Sequence, residues 1–315
     1  MALTPESIAE TWTHGDTVEI ATTDDWNVFA TYLNANPTAG SVRSARLIDN
    51  LDFTNKNCIF ITATGYTSPI THLSFDGGGF EISNIVATLS GNFNGLVWFR
   101  ETTNTTSISD VTVRNCYVTT NTATSGLFCV MSGYVAANCH ITNSRFNMGA
   151  EFRGIHGGTG GVESCSENIT VSLSSAITGG SYVGIYGHPI NKCVVINDIS
   201  VEHNNVLITD FDGSSSATTI GSSFSRSRVT TNNTGVTFRP FAIPYPTECY
   251  CANPLIGVAT YTPFYNIRTN TRSYYDNSIE GNPTASAGTE YGLTTAELQS
   301  VATMQSLGWY VKAVE

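Results

Sequence analysis

The sequence predicts an all-β fold, a parallel β-solenoid in which each coil is one repeat, and three observations predict it. A five-residue phrase recurs as Gly95-Leu96-Val97-Trp98-Phe99, Gly126-Leu127-Phe128-Cys129-Val130, Gly154-Ile155-His156-Gly157-Gly158 and Gly184-Ile185-Tyr186-Gly187-His188, with a weaker echo at Ile220-Gly221-Ser222-Ser223. Successive full copies start 31, 28 and 30 residues apart. A short β-prone run carrying a cysteine follows most copies, at Cys116, Cys139, Cys165 and Cys193. Between these runs lie Gly, Asn and Ser turns with no helical stripe. Repeats of this length are supersecondary units too small to bury an apolar face alone, so they stack.

The elements follow in order. Residues 1–22 are polar with little periodicity and read as an N-terminal arm, and residues 23–310 read as the solenoid domain. From Asp24 to Leu33, apolar Trp26, Phe29, Ala30 and Leu33 fall at i, i+3, i+4 and i+7, one face of a helix. Asp24 and Asp25 suit its N-terminus. A short amphipathic helix at the open end of a solenoid caps the strand edges of the first coil. Ala45 to Phe53 and Cys58 to Ile61 are strand-like, and Ser74 to Ile85 reads as strand, Gly77-Gly78-Gly79 turn, strand. The repeats run from about Gly91 to Thr237.

Residues 238–264 differ. They hold Pro240, Pro244, Pro246, Pro254 and Pro263 among Phe241, Tyr245, Tyr250 and Tyr261. Proline removes ladder donors, so this stretch reads as a stiff, aromatic excursion from the solenoid wall. Tyr265 to Ile279 would restore a last coil. Thr294 and Glu297 stand at capping-box spacing. Leu298, Val301, Ala302 and Leu307 supply an apolar face and Gly308 a stop, so a closing helix is predicted over 294–307.

Composition narrows the function. Charged residues make up 12% of the 315, the net charge is −11, and no Lys/Arg cluster occurs, which argues against nucleic acid and anionic membrane as partners. No apolar run approaches the ~20 residues of a membrane span. Met1 to Ser7 lack a basic region followed by an apolar one, so no secretory signal is read there. Either a signal was removed or the protein leaves the cell another way, for example inside a virion, and the natural-looking Met favours the second. Eight cysteines would allow a disulfide framework, but a chain this long does not need one. Cys249-Tyr250-Cys251 is spaced poorly for zinc. Cys116, Cys139, Cys165 and Cys193 read as a buried, reduced ladder.

Three stretches resemble the GLUG-motif proteins, a bacterial surface and phage-associated group. They are Trp26 to Leu33 followed by Leu47 to Phe53; Phe75-Asp76-Gly77-Gly78-Gly79-Phe80-Glu81-Ile82-Ser83-Asn84; and Gly292 to Leu298 with Gly308-Trp309. The resemblance spans most of residues 24–310. It implies a single-stranded right-handed parallel β-helix and an exterior setting such as adhesion, with no agreed catalytic set.

Solenoids often act on polysaccharides, and a glycosidase needs two carboxylates about 5–9.5 Å apart. Adjacent coils lie ~4.8 Å apart, so acids on neighbouring coils can meet that distance. The candidates are Glu163 with Glu167, Asp198 with Glu202, and Asp210 with Asp212. A calcium loop at Asp210-Phe211-Asp212-Gly213 lacks further spaced acids. His156, Tyr186 and His188 read as a stacked wall rather than a catalytic set.

The resulting reading is a non-enzymatic exterior attachment protein, with no catalytic residues, metal or cofactor. The leading settings are a phage tail fibre, tailspike-like appendage or virion decoration, hence a virion or extracellular appendage. Expected partners are further copies or other appendage subunits and a host surface glycan. The candidate contact surface is Phe241, Tyr245, Tyr250 and Tyr261. The alternatives are a polysaccharide-degrading β-helix enzyme and a secreted bacterial adhesin.

Overall fold

The computed structural model describes residues 2–62, 68–90, 93–100, 104–120, 126–149, 151–174, 181–213, 219–242, 245–258, 260–265, 273–276, 278 and 292–306. The expectations placed on Gly91, Pro244, Ile279, Leu307, Gly308 and Trp309 lie outside these residues. The chain is a parallel β-solenoid of about eight turns. One wall is a 17-stranded sheet and the other a 15-stranded sheet, with each strand paired to its equivalent on the next coil. Ile61–Thr62 is the one antiparallel partner among the described pairings, against Phe93–Trp98.

The solenoid opens earlier than the sequence suggested. Helix α1 spans Pro5–Thr13 and is closed by a Thr4/Ser7 capping box. The strand Thr17–Ile20 pairs in register with Arg43–Leu47, Thr17 opposite Ser44 and Ile20 opposite Leu47. The segment read as an arm is therefore the first rung. Its signal was short: Ile8 and Trp12 at i, i+4, then alternating Val18 and Ile20. Ile8, Val18 and Ile20 are buried, and the Trp12 indole donates to the Ser44 carbonyl at 2.8 Å.

The expected cap is helix α2, Thr23–Ala35, with a Thr22/Asp25 capping box. Trp26, Phe29, Ala30 and Leu33 are all buried. Trp26 and Phe29 meet Phe75 at 6.1 and 6.4 Å between ring centroids. Asp25 also accepts from the Leu3 backbone at 2.9 Å, tying the N-terminus to the cap.

Ala45 to Phe53 is not one strand. Arg43–Leu47 and Leu51–Asp52 belong to different sheets, joined by a bend. The glycine turn stands as read, between Leu73–Asp76 and Glu81–Ser83, with Gly78 and Gly79 at φ +59° and +79°. That left-handed backbone is the reason for glycine there.

The cysteine motif is a corner device. The register Thr112, His140, Ser166, Val194, Phe224, Tyr250, Tyr274 runs down one sheet. The column just before it is therefore Val111, Cys139, Cys165, Cys193, Ser223, Cys249 and Ser273. Cys116 does not belong to it; its equivalent is Ser144, which accepts the Cys116 backbone N–H at 3.0 Å. Each corner is turned by the preceding residue in the left-handed region: Asp110, Asn138, Ser164, Lys192, Ser222 and Glu248 at φ from +47° to +56°. The thiols donate back two residues, Cys165 to the Glu163 carbonyl at 3.3 Å and Cys193 to Asn191 at 3.2 Å. Ser223 does the same to Gly221 at 2.8 Å. From Cys139 onward a small inward donor occupies this corner, and Cys and Ser interchange there. All eight cysteines are buried and free.

The phrase that revealed the repeat is only partly in phase. Gly154 and Gly184 are equivalent, lying between the pairs Arg153–Val183 and Ile155–Ile185. Gly95 pairs with Cys129, the partner of Arg153, so it is one residue out of step, and Gly126 lies further upstream. Ile220 pairs with Ile190, so the weak echo belongs to a different strand of the coil.

Residues 238–264 are not an excursion. Thr237–Phe238, Phe241–Ala242, Tyr245–Thr247, Tyr250–Cys251, Leu255–Ile256, Thr260–Tyr261 and Phe264–Tyr265 continue both sheets in parallel register. The strands are two or three residues long, so Pro240, Pro254 and Pro263 fall between ladders, and Pro246 alone among the described prolines here sits inside one, opposite Ile220. Their carbonyls still serve: Pro240 accepts from Phe211 and Pro263 from Phe241. At the C-terminal end, Tyr274–Asp276 pairs with Gly292–Leu293. The predicted closing helix is two short helices, α3 (Thr295–Gln299) and α4 (Val301–Ser306), broken at Ser300, and the Thr294/Glu297 capping box is present. Among the described residues no helix is long and apolar enough to cross a membrane.

Candidate functional site

The surface expected to carry contacts is largely core. Phe241 is fully buried between Phe211 and Phe264, ring centroids 4.9 and 5.2 Å away. Tyr261 is also buried, its hydroxyl donating to Asn253 Oδ1 at 3.2 Å. Tyr245 and Tyr250 are half-buried, and Tyr250 stacks on Phe224 at 5.1 Å. An aromatic in a short inward-facing strand is indistinguishable in sequence from one in a projecting loop, and the prolines tipped the reading the wrong way.

Two of the three expected carboxylate pairs are split between core and surface, and the third, Asp198 with Glu202, is exposed at both residues. Glu163 is exposed and meets Lys192 at 3.4 Å, whereas Glu167 points into the core. Asp198 is held by Arg228 at 2.8 Å, and Glu202 is exposed. Asp210 is buried while Asp212 is half-exposed two residues on. His156, Tyr186 and His188 do form the stacked wall, with His156–Tyr186 and Tyr186–His188 ring contacts at 4.2 and 5.3 Å.

Inside the solenoid lies a polar stripe that sequence reading missed. Glu167 sits in an inward-facing column between apolar Ile141 and Val195. Its Oε1 accepts from the Ile155 backbone at 2.9 Å, and its Oε2 accepts from Asn197 at 3.0 Å and Tyr182 at 3.5 Å. Gly154 and Gly184 leave the room it occupies: a Cβ on Gly154 would lie 1.8 Å from Glu167 Oε1, and one on Gly184 3.1 Å from Oε2. Asp210 fills the same position on the next coil, accepting from Ser225 at 2.5 Å and Ser227 at 2.9 Å. Burial pushes the Glu167 carboxyl up to about 8, against the pull of its hydrogen bonds from Asn197, Ile155 and Tyr182, and nearby Asp210 adds to the rise. Burial likewise pushes Asp210 up to about 7. The sequence signal was a Gly-to-Asp exchange at one repeat position beside an acid in a Val/Ile column. Gly154→Val is expected to cost about 3 kcal/mol or more through overpacking against Glu167, read as a lowered thermal midpoint. A wild-type midpoint would show that the lumen has slack.

The described surface offers one polar groove of about 360 Å³ along the line where the second sheet bends. It crosses four coils and is lined by Asn143, Arg145, Asn168, Ile196, Asp198 and Arg226, among others. Asn143 makes the bend, at φ +49°, where the ladder between its strand and the next skips a residue. Arg145 lies 6.0 Å from the ring of Tyr117, which is 41% exposed and whose hydroxyl accepts from Asn147 at 2.7 Å. Amides and arginines thus line one open strip, the Tyr117 ring stands beside it next to Arg145, and its acid, Asp198, is engaged by Arg228. Such a strip can hydrogen-bond hydroxyls over an extended ligand.

No protein-family model and no curated protein matches the chain. A solved structure similar to it is that of a "putative immunoglobulin A1 protease" from Bacteroides ovatus, at TM-score 0.49 and 13% identity, over 78% of this chain and 83% of that one.

Proposed function

We propose that the protein is a non-enzymatic attachment protein that holds an extended polysaccharide along the groove of its second sheet, in an exterior setting such as a phage appendage, as its resemblance to GLUG-motif proteins implies. The observation that carries this reading is the groove itself: open, polar, four coils long, with its acid already paired to Arg228. Coil-to-coil register repeats donors and acceptors at ~4.8 Å intervals, which suits a ligand that is itself a repeat. Arg145 and Arg226 at the surface donate to hydroxyl or acidic groups, and Tyr117 offers a flat face.

The test uses immobilised bacterial surface polysaccharides. Wild type is expected to bind at least one of them and to release no new reducing ends on prolonged incubation. Tyr117→Ser combined with Arg226→Ala is expected to weaken that binding by about tenfold, the equivalent of ~1.4 kcal/mol, with the circular dichroism spectrum unchanged. Release of reducing ends would replace this reading with a polysaccharide-degrading enzyme. Undiminished binding by the double variant would remove the groove from it.

A further inference from the structure

The walls of the groove differ from its floor. Ser144, Ile169 and Asn197 form the floor and are buried. The polar groups there are already spent. Ser144 Oγ accepts the Cys116 N–H at 3.0 Å and donates to the Thr142 carbonyl at 2.9 Å. The Asn197 amide accepts from the Ile169 N–H at 3.0 Å and donates inward to Glu167 at 3.0 Å. The floor therefore supplies shape, and recognition falls to the walls.

Strand register orders those walls. Asn168, Ile196 and Arg226 follow the stacked residues Glu167, Val195 and Ser225, and make one wall over successive coils. Arg145, Thr170 and Asp198 pair in turn and make the other. Arg145 thus stands on the first of the four coils and Arg226 on the last, on opposite walls. Three coil spacings, roughly 14 Å along the axis, separate them. Four exposed cations of the chain are spent on acids of a neighbouring coil: Arg46 on Glu19, Arg114 on Glu81, Lys192 on Glu163 and Arg228 on Asp198. Arg145 and Arg226 are exposed and have no carboxylate within ion-pair distance among the described residues. With Asp198 neutralised by Arg228, the groove keeps these two positive charges on a chain whose net charge is −11. Between them the walls offer Asn168, Thr170 and the apolar Ile196.

We propose that the ligand of this groove is an acidic polysaccharide whose carboxylates are separated by uncharged stretches, a proposal that rests on reading the groove as a polysaccharide site. Arg145 and Arg226 each take a different carboxylate, and Asn168 and Thr170 bond the hydroxyls between. A guanidinium fork matches a carboxylate in geometry. One carboxylate cannot meet both arginines across three coils, so a single acidic sugar uses half the site and a polymer uses all of it. A neutral polysaccharide leaves both charges unmatched. A polymer with a phosphate on every unit calls for a closer run of cations, and it would bring phosphates to the middle of the groove, where Asp198 stands.

The test is calorimetric titration of the full chain with polygalacturonate, alginate and hyaluronan, each beside its methyl-esterified form, and with single-stranded DNA as a second kind of polyanion. At least one acidic polysaccharide is expected to bind about tenfold or more tightly than its ester. That binding is expected to weaken several-fold between about 50 and 200 mM salt. Arg145→Gln and Arg226→Gln are each expected to lower it by about tenfold, and the double variant to bind acid and ester alike. Lys192→Gln, which removes a cation outside the groove, is expected to leave it unchanged. Equal binding of acid and ester by wild type, with both lost in Tyr117→Ser/Arg226→Ala, would overturn the acidic ligand and leave the polysaccharide groove standing. Binding of none of these polymers would also overturn it, and the bacterial polysaccharides then show whether the groove reading falls as well. A preference for acid over ester that survives in the double variant, or tighter binding of DNA than of every acidic polysaccharide, would equally overturn the proposal.

Discussion

Between about pH 6.5 and 8 the fold is expected to lose stability, and Glu167→Gln is expected to remove most of that loss. The cause is the stripe inside the solenoid. Glu167 is raised from 4.5 to about 8 and Asp210 from 3.8 to about 7, both chiefly by burial. In the unfolded chain both carboxyls are ionised above pH 5; in the folded chain they hold their protons up to these higher values. The folded state therefore binds more protons across the window, and stability falls as pH rises, by about 1.4 kcal/mol per pH unit for each group while its window lasts. Asp210 stops contributing to the slope near 7 and Glu167 near 8. Below about 6.5 the buried His156 works in the opposite sense. Burial, then the charges of Arg153 and His188, hold it well below its ordinary 6.5, so its contribution is present above 6.5 and is lost as pH falls. Two carboxyls outweigh one histidine, so these groups still lower stability as pH rises from about 5 to 6.5, only more gently than above 6.5. Glu167→Gln keeps the side-chain volume and the acceptor for Ile155, and the Tyr182 hydroxyl accepts from the new amide. Urea unfolding of both proteins at pH 6.5, 7.2 and 8 checks this. Parallel wild-type and variant curves would mean that Glu167 is ionised in the fold and that its three donors outweigh burial.

Removing residues 1–35 is expected to yield insoluble or self-associating protein rather than a shorter solenoid. The deletion takes away the rung Thr17–Ile20, and with it the partner of Arg43–Leu47, leaving that strand as an open edge. It also takes away Trp26, Phe29 and Leu33, all fully buried, and so uncovers Phe75 and the end of the core. Trp12, which seals the strand through the Ser44 carbonyl and packs against Phe29 and Tyr32, goes too. An exposed edge above an open apolar core pairs with another chain. Sedimentation of the truncated chain, or its recovery in the insoluble fraction, reads the outcome. A monomeric truncation with the parent's melting behaviour would mean that α1 and α2 do not cap the solenoid.

The sequence by itself determined the architecture because a solenoid writes its period into the chain. The spacing near thirty residues, the helix face Trp26, Phe29, Ala30, Leu33 and the Gly77-Gly78-Gly79 turn are local patterns, and local patterns are legible. It also foretold that Cys116, Cys139, Cys165 and Cys193 are buried, though not that Cys116 stands outside their column, and that His156 stacks on Tyr186. What it could not supply was phase and direction. Gly95, Gly126 and Gly154 look alike in sequence but occupy different positions on the ladder, and only strand pairing assigns them. Phe241 and Tyr261 read as projecting because prolines break long strands, whereas a coil built of two-residue strands admits prolines between them. Above all, inward and outward are not written residue by residue. Glu167 faces the lumen in ordinary alternation, whereas Asp210 is buried and Asp212, two residues on, is not, so the period of two fails in that strand. The groove at Asn143 exists only once coils are stacked, since its lining residues are about thirty residues apart in the chain and one coil apart in space.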